Sequence, residues 1–586
     1  MVMKMIKNII KYYIRNKDSS FGLMLTLIFF LGFFEFIGIG LFIPLLDNSD
    51  SIINTGLNSI FDFINIQRND LTISIFIFIV FFIKVFIVIG FNKKQSYLMN
   101  HFVYKVRSEI VKNLTLTNYI KLQTYSTGEL NNLVTKESEK IAEGYTYTLD
   151  IFLKIFLIFV YLSLSLLTNE YATLFAILLG LLFVLGFKKI VYLSRIYSKE
   201  LLVANEKTNS YISEFLHGLK YLYATSGFNN VNKKLDNKLY DYSQAKYKLD
   251  YYGKLSKVIP EPIGVLIIIS VLIVNYLYIH NSTMSVLMSA VLLYKTFQNI
   301  ATLQYVYQKL IGVSASVEKI DSFEEELIKE KEQNGACIIE KIDSISFNSL
   351  DFNFSNKKIL NQLNLTFRRG NSYAFVGESG AGKTTILNIL TLLYSVKKDS
   401  YVLNNTYDSN DIDKYIFRSK VGYVSQEPIY FDGSIKENIV LNLENFDEKY
   451  LDKIIELVKL NDIVKDKGLD TKLQSFGKDL SGGQLQRINI ARELIKKPDI
   501  LILDEATSAL DANTEKEIMS NILELKKDMI IIIVAHRLSS LINVDEILFL
   551  KQGSVVAKDG MKVLYSSHEE FKLMCNNQNI FLDGSK

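Results

Sequence analysis

Six apolar runs follow one another through the first half of the chain, near residues 22–46, 71–92, 148–168, 171–187, 258–279 and 284–304. A helix needs about 20 residues to cross the hydrocarbon core of a bilayer, so each run predicts a membrane span, the fourth being the shortest. Between spans two and three, and again between four and five, lie the long polar and helix-compatible stretches 92–147 and 188–257, which predict helical extensions into the cytoplasm. Ahead of the first span, Ile6, Ile9, Ile10, Tyr13 and Ile14 share one helical face while Lys7, Lys11 and Arg15 lie off it, the pattern of a helix lying in the membrane surface. After it, Ile53, Leu57, Ile60, Phe61 and Ile64 oppose Asn54, Asn58 and Asp62, predicting a second interfacial helix on the outer side.

Beyond the sixth run the pattern changes. A charged stretch from Glu324 to Glu332 ends at Gly335, and short β-type segments then alternate with helical ones. The expected division is a membrane domain over 1–317 carrying cytoplasmic coupling helices, a linker over 318–340, and an α/β nucleotide-binding domain over 341–586.

Charge and composition sharpen this picture. Lys4, Lys7 and Lys11 precede the first span, Lys93 and Lys94 follow the second, and Lys188 and Lys189 follow the fourth, whereas Arg68 is the lone basic residue of the outside loops. This asymmetry predicts a multi-pass protein with both termini in the cytosol and disfavours a soluble protein with buried helices. No small-residue cleavage site follows the first apolar run, so a cleavable signal peptide is not expected. With 38 Phe, 34 Tyr and no Trp, the aromatic belts must be built from Phe and Tyr. Cys337 and Cys575 are far apart and fit neither a disulfide framework nor a zinc site. A net charge of +4 over 586 residues leaves no nucleic-acid footprint.

Chemistry is concentrated in the second half. Gly377, Glu378, Ser379, Gly380, Ala381, Gly382, Lys383, Thr384 and Thr385 fit the pattern G-x-x-x-x-G-K-[ST], after the strand-like Ser372–Val376 and before the helix-like Ile386–Leu393. In that context the glycines let backbone N–H groups face phosphate, Lys383 neutralises phosphate oxygens and Thr384 can ligate Mg²⁺. Downstream, the apolar strand Ile500–Leu503 runs into Asp504 and Glu505, one carboxylate suited to Mg²⁺ and the next to accepting a proton from an attacking water.

Between these two elements stands Leu480-Ser481-Gly482-Gly483-Gln484, which resembles the signature of ABC (ATP-binding cassette) ATPases. The resemblance extends to Gln426 in Val424-Ser425-Gln426, to Ser508-Ala509-Leu510-Asp511, and to His536 after the strand-like Ile531–Val534. It implies two such domains facing head to tail, with ATP on the phosphate loop of one capped by Ser481, Gly482, Gly483 and Gln484 of the other, and therefore a homodimer. It further implies that Glu505 is the general base, that His536 holds the γ-phosphate, that Gln426 senses it and sits with Thr384 and Asp504 at Mg²⁺, and that Asp511 couples the two sites. Phe354 stands where the family usually stacks a Tyr on adenine, and an aromatic face stacks without its hydroxyl. The chain departs from the family at Gln474-Ser475-Phe476-Gly477, where many exporters carry a Glu, and at 396–410, which lacks the usual Gly-rich turn. Both ATP sites are expected to hydrolyse.

Six spans ahead of the ATPase resemble the exporter branch, in which coupling helices rest on the ATPase domains; Tyr125–Leu130 and Glu214–Gly218 look like those helices. Charges inside the spans call for partners or a wet cavity: Glu35, Lys84, Lys154 and Lys295, with Lys257 and Glu261 at the edge of span five. Glu35 and Lys84 suit a structural ion pair. Lys84, Lys257 and Lys295 also suit an anionic substrate. Phe33–Gly40 with Ile43–Leu46, followed by an external helix, resembles the first span of bacterial flippases for lipid-linked oligosaccharides. The leading expectation is thus an ATP-driven flippase of a polyprenyl-diphosphate-linked glycan in the bacterial inner membrane, in contact with membrane lipids. A drug, lipid or peptide exporter is the alternative; one that processes its own peptide cargo is disfavoured, since no peptidase domain precedes the spans. An ATP-gated channel is a third, which would keep flux without hydrolysis.

Overall fold

The computed structural model describes residues 20–46, 69–279, 283–354, 357–441, 443–472, 479–535 and 537–582. The interfacial helices expected over 1–17 and 53–64 lie outside them. Contacts divide the chain into two units, Met1–Leu116 with Tyr125–Lys329, and Thr117–Thr124 with Glu330–Lys586.

The first unit is helical. Its long helices are Ser20–Gly40, Asp70–Leu116, Ser138–Thr168, Glu170–His217, Phe228–Val258, Pro260–Val274 and Thr283–Lys329. Among the described residues, Phe21–Gly40, Asp70–Leu116, Thr127–Thr168 and Val286–Lys329 are long and apolar enough to cross a membrane, and Glu170–Leu179 and Gly264–Leu277 are shorter apolar helices. The 47 residues of Asp70–Leu116 rise about 70 Å at 1.5 Å per residue, well beyond the roughly 30 Å of hydrocarbon. Span and polar extension are therefore one uninterrupted rod. A single residue, Asn169, turns the chain between the third and fourth rods by capping the latter, its side chain accepting from the Ala172 N–H at 3.0 Å. The sixth rod likewise runs on through 318–329, which the charged run had suggested as linker. Val317, Ile320, Phe323 and Leu327 repeat at helical spacing there and are buried, so the apolar stripe outweighs the charge around it.

Glu35 is a buried charged group of this unit, 8 % exposed. It forms an ion pair with Lys84 of the second span, and its other oxygen accepts from the Tyr161 hydroxyl of the third at 2.5 Å. Lys84 also lies over the Phe81 ring, 5.2 Å from its centroid. Of the two expectations for Lys84, the structure realises the ion pair.

Among the described residues the second unit carries ten strands: β1 Ser344–Phe354, β2 Lys357–Arg368, β3 Ser372–Gly377, β4 Tyr401–Leu403, β5 Tyr407–Asp408, β6 Val421–Val424, β7 Ile500–Asp504, β8 Ile530–Val534, β9 Glu546–Lys551 and β10 Ser554–Asp559. They form a sheet in the order β2-β1-β4-β5 and a second in the order β10-β9-β3-β8-β7-β6. In the second sheet β3, β6, β7, β8 and β9 pair in parallel, and their buried Ile, Leu and Val side chains make the core, as strands covered on both faces require. Asn404 and Asn405 take positive φ between β4 and β5, supplying the left-handed turn for which the sequence offers no glycine in 396–410.

Residues 117–124 join this second unit although spans two and three flank them. Thr117 bridges to Lys331, the Asn118 N–H donates to the Glu330 carbonyl at 2.9 Å, Ile120 packs on the core that includes Phe352 and Phe375, and the Tyr394 hydroxyl donates to Gln123 at 3.0 Å. The short helix Tyr119–Leu122 thus holds the place that Tyr125–Leu130 was expected to fill. Tyr125 instead belongs to the membrane unit, donating to Glu326 at 2.5 Å with its ring edge on Phe323. The pattern misled because the Ser126–Glu129 cap marks a helix start, and it is the apolar Ile120 that docks.

Removing Lys84 strands the Glu35 carboxylate. Lys84→Met is expected to cost about 3 kcal/mol, read as a lower melting temperature in detergent, and Glu35→Gln/Lys84→Met to recover most of it. Equal melting of the two variants would sink this account.

Candidate active site

Parallel pairing brings the carboxyl ends of β3, β8, β7 and β6 to one edge, where ligands of such sheets bind. The phosphate-type loop leaves β3 there and feeds the helix Lys383–Leu390. Gly382 has φ +106°, and a Cβ on it would meet Leu360 at 2.7 Å. Gly380 has φ +82° with open space where a Cβ would point. Lys383 is buried, and its amine donates to the carbonyls of Gly377 at 2.8 Å and Glu378 at 3.0 Å. Burial holds that amine below the ordinary lysine range, with Glu505 and Asp504 pulling it back up. An amine so held, beside open backbone N–H groups at a helix start, fits the phosphates of a nucleotide.

Asp504 ends β7, and Glu505 follows with φ +49°, a left-handed conformation a glutamate rarely adopts. The Glu505 N–H donates to the Val534 carbonyl at 2.9 Å, which fixes the turn, and its carboxylate accepts from Gln426 Nε2 at 2.8 Å. Burial raises the Asp504 carboxyl above its usual range, Glu505 adds to this, and the Tyr423 hydroxyl at 2.9 Å and Lys383 act against it. A half-buried carboxylate of this kind fits a divalent cation. No group of three or more His, Cys, Asp or Glu able to hold a metal occurs among the described residues. Thr384, Asp504 and Gln426 could hold an ion together with phosphate and water.

Ser481 caps the helix Gly482–Leu494 in a reciprocal box with Gln484: the Gln484 N–H donates to Ser481 Oγ at 3.2 Å and the Ser481 N–H to Gln484 Oε1 at 2.8 Å. Ser481 and Gly482 are exposed and Gly483 half-buried. Gln486 ties this helix to the following loop, donating to Ser508 and accepting from the Ala509 N–H at 3.0 Å. Asp511 in turn caps Ala512–Glu524, and the Thr514 N–H holds its carboxyl below the usual range. His536 and the 474–477 departure lie outside the described residues. Phe354 is 43 % exposed at the end of β1, its ring tilted 6.5 Å from Tyr394, which stacks on Phe352. Tyr423 and Tyr394 carry no motif and were not singled out; their places three residues before Gln426 and after the first helix were the available signals.

The two membrane lysines of the expected substrate site whose side chains are described have different surroundings. Lys84 is neutralised by Glu35, Lys295 is exposed on the sixth rod, and the side chain of Lys257 is not described. A cavity of about 400 Å³ within the same unit is lined by other residues, among them Lys140, Lys254 and Lys309 with Tyr147, Tyr242 and Tyr305. Lys140, Tyr147, Tyr242 and Lys254 fall in the stretches 92–147 and 188–257, which read only as polar extensions, and Tyr305 and Lys309 lie just after the sixth apolar run.

Gly382→Ala combines backbone strain with a clash and is expected to weaken nucleotide binding at least tenfold, measured with a fluorescent ATP analogue, although Lys383 is untouched. Binding within about twofold of the parent would contradict the geometry.

Comparison with known proteins agrees with this geometry. A model described as ABC transporter transmembrane region matches residues 39–302, and one described as ABC transporter matches 360–508. An ATP-dependent lipid A-core flippase of Pseudoalteromonas translucida is 28% identical over 524 residues, 85% of this chain and 88% of that protein. A heterocyst differentiation ATP-binding protein of Nostoc is 29% identical over 441 residues, 75% of this chain and 72% of that one. The fold is similar to that of a bacterial Atm1-family ABC exporter solved with ATP bound, at TM-score 0.78 and 18% identity, covering 97% of this chain and 100% of the other. With both domains matched and arranged in one chain, the protein belongs to the ABC transporters, as a multi-pass exporter half-transporter that binds ATP and couples its hydrolysis to transport.

Proposed function

We propose that the chain acts as a homodimer in the bacterial inner membrane, both termini cytosolic, and flips a lipid bearing an anionic glycan, in the first instance a polyprenyl-diphosphate-linked oligosaccharide. One observation carries the substrate class: the 400 Å³ cavity sets Lys254 and Lys309, with Lys140 paired to Glu137, among three tyrosines, cations for phosphate and aromatic faces for sugar rings. Two acids, Glu143 and Asp250, line it too and suit sugar hydroxyls. Lys295 and Lys257 add cations; Lys84, committed to Glu35, does not. Relatives whose names describe lipid A-core flipping support lipid over peptide cargo.

The dimer is supported by the chain holding one phosphate loop and one signature helix, the latter with an exposed N-terminus at Ser481 and Gly482 that can cap a phosphate of the partner's nucleotide. Phe354 stacks on adenine, Lys383 and the loop N–H groups orient the phosphates, and Thr384, Asp504 and Gln426 hold Mg²⁺, which when bound neutralises phosphate charge. Glu505, turned inward by its left-handed backbone and steadied by Gln426, accepts the proton of the attacking water. His536 and Asp511 complete the site and its coupling to the second one.

The test is ATP-dependent movement of a fluorescent undecaprenyl-diphosphate-linked oligosaccharide in proteoliposomes. Glu505→Gln is expected to lower hydrolysis about a hundredfold or more and to abolish flipping, and Lys254→Gln/Lys309→Gln to reduce flipping strongly. Hydrolysis without glycan movement, in vesicles where a lipid A-type probe does move, would remove the oligosaccharide and keep the lipid exporter. Separately, Phe354→Ala is expected to weaken ATP binding about tenfold and Phe354→Tyr to leave it near the parent value; equal affinities for all three proteins would remove Phe354 from the adenine site.

A further inference from the structure

Two adjacent carboxylates at the end of β7 are each held by a donor from the end of β6. Gln426 donates to Glu505, and three residues earlier the Tyr423 hydroxyl donates to Asp504 Oδ2 at 2.9 Å. The strand that supplies both donors is itself fixed: Tyr423 pairs opposite Ile502, and its N–H donates to Glu493 at 3.2 Å. A carboxylate with one oxygen held in this way is fixed in one rotamer. The ring of Tyr423 is half-buried on the core that includes Phe352 and Phe375. Among the described residues β6 is the edge strand of its sheet.

We propose that Tyr423 is a positioning residue for ATP hydrolysis: its hydroxyl holds Asp504 in the orientation that serves the metal. Tyr423 is not among the residues assigned above to nucleotide or metal. It acts on Asp504, as outer partners of metal ligands do when they fix a ligand's rotamer. The idea rests on the assignment of Asp504 to the metal made above.

The experiment uses the full chain in detergent, loaded with ADP so that no turnover occurs, and measures Mn²⁺ affinity by electron paramagnetic resonance, with ADP affinity in EDTA measured alongside. Tyr423→Phe removes only the hydroxyl; it is expected to weaken Mn²⁺ binding about tenfold and to leave metal-free ADP binding unchanged. Asp504→Asn separates the two levels of the claim. If it leaves Mn²⁺ affinity intact, the metal assignment itself is wrong. If it weakens binding while Tyr423→Phe stays within about twofold of the parent, the assignment stands and the positioning role is overturned.

Discussion

Parallel pairing of β3 with β8, β8 with β7 and β7 with β6 is the constraint from which the chemistry of this protein follows. The phosphate loop, the two carboxylates and the glutamine come from segments separated by more than forty residues in the chain, and none could find the others by local structure. Because the strands run the same way, each must end at the same edge, and each strand end then has to carry a polar group where its neighbours carry theirs. The buried Ile and Leu side chains of β7 and β8 secure that register, since a slip of one residue would turn the apolar side chains of one face to the other and move Asp504 away from Tyr423.

Charge in low dielectric is handled in two different ways in the two units. Glu35 and Lys84 neutralise each other and add a tyrosine hydroxyl, so neither is available to a ligand. Lys383 is also buried, yet its donors go to two carbonyl oxygens, and the nearby carboxylates act on it only at longer range. A buried amine left with partial charge compensation has a reason to bind an anion; a buried pair with full compensation has a reason to hold helices together. That distinction cannot be drawn from residue type alone, since Lys140 of the cavity is ion-paired as well, with Glu137 at 3.0 Å.

Much of the architecture was legible because its signals are local. Apolar runs near twenty residues, a Gly-rich loop after a strand, and an Asp-Glu pair after an apolar strand each state their own structure. What was not legible required knowledge of a distant partner. Nothing in the neighbourhood of Tyr423 points to Asp504, eighty-one residues on. The capped helix at Ser126 looked like a docking element, whereas Ile120, a single apolar residue in a polar stretch, is the one received by the ATPase core. The charged run after span six disguised a continuing helix because its apolar stripe is only one residue in three or four. Asn404 and Asn405 supplied a turn that a search for glycine would miss, since a short amide side chain tolerates the left-handed region through local hydrogen bonds, and Asn404 Oδ1 does accept from the Asp343 and Ser344 N–H groups.

The 117–124 segment also bears on how transport and hydrolysis can be linked at all. Its eight residues belong by contact to the ATPase unit and by chain order to the space between two long membrane-unit helices. Asp70–Leu116 is an unbroken helix that ends at the residue before the segment, and Thr127–Asn132 begins after two intervening residues. Within the ATPase unit, Gln123 of the segment accepts from the Tyr394 hydroxyl, and Tyr394 lies beside the ring of Phe354, so the segment and the proposed adenine face share one aromatic cluster. A change at either is felt by the other through side chains already in contact, and by the reciprocity of coupled equilibria the effect runs both ways.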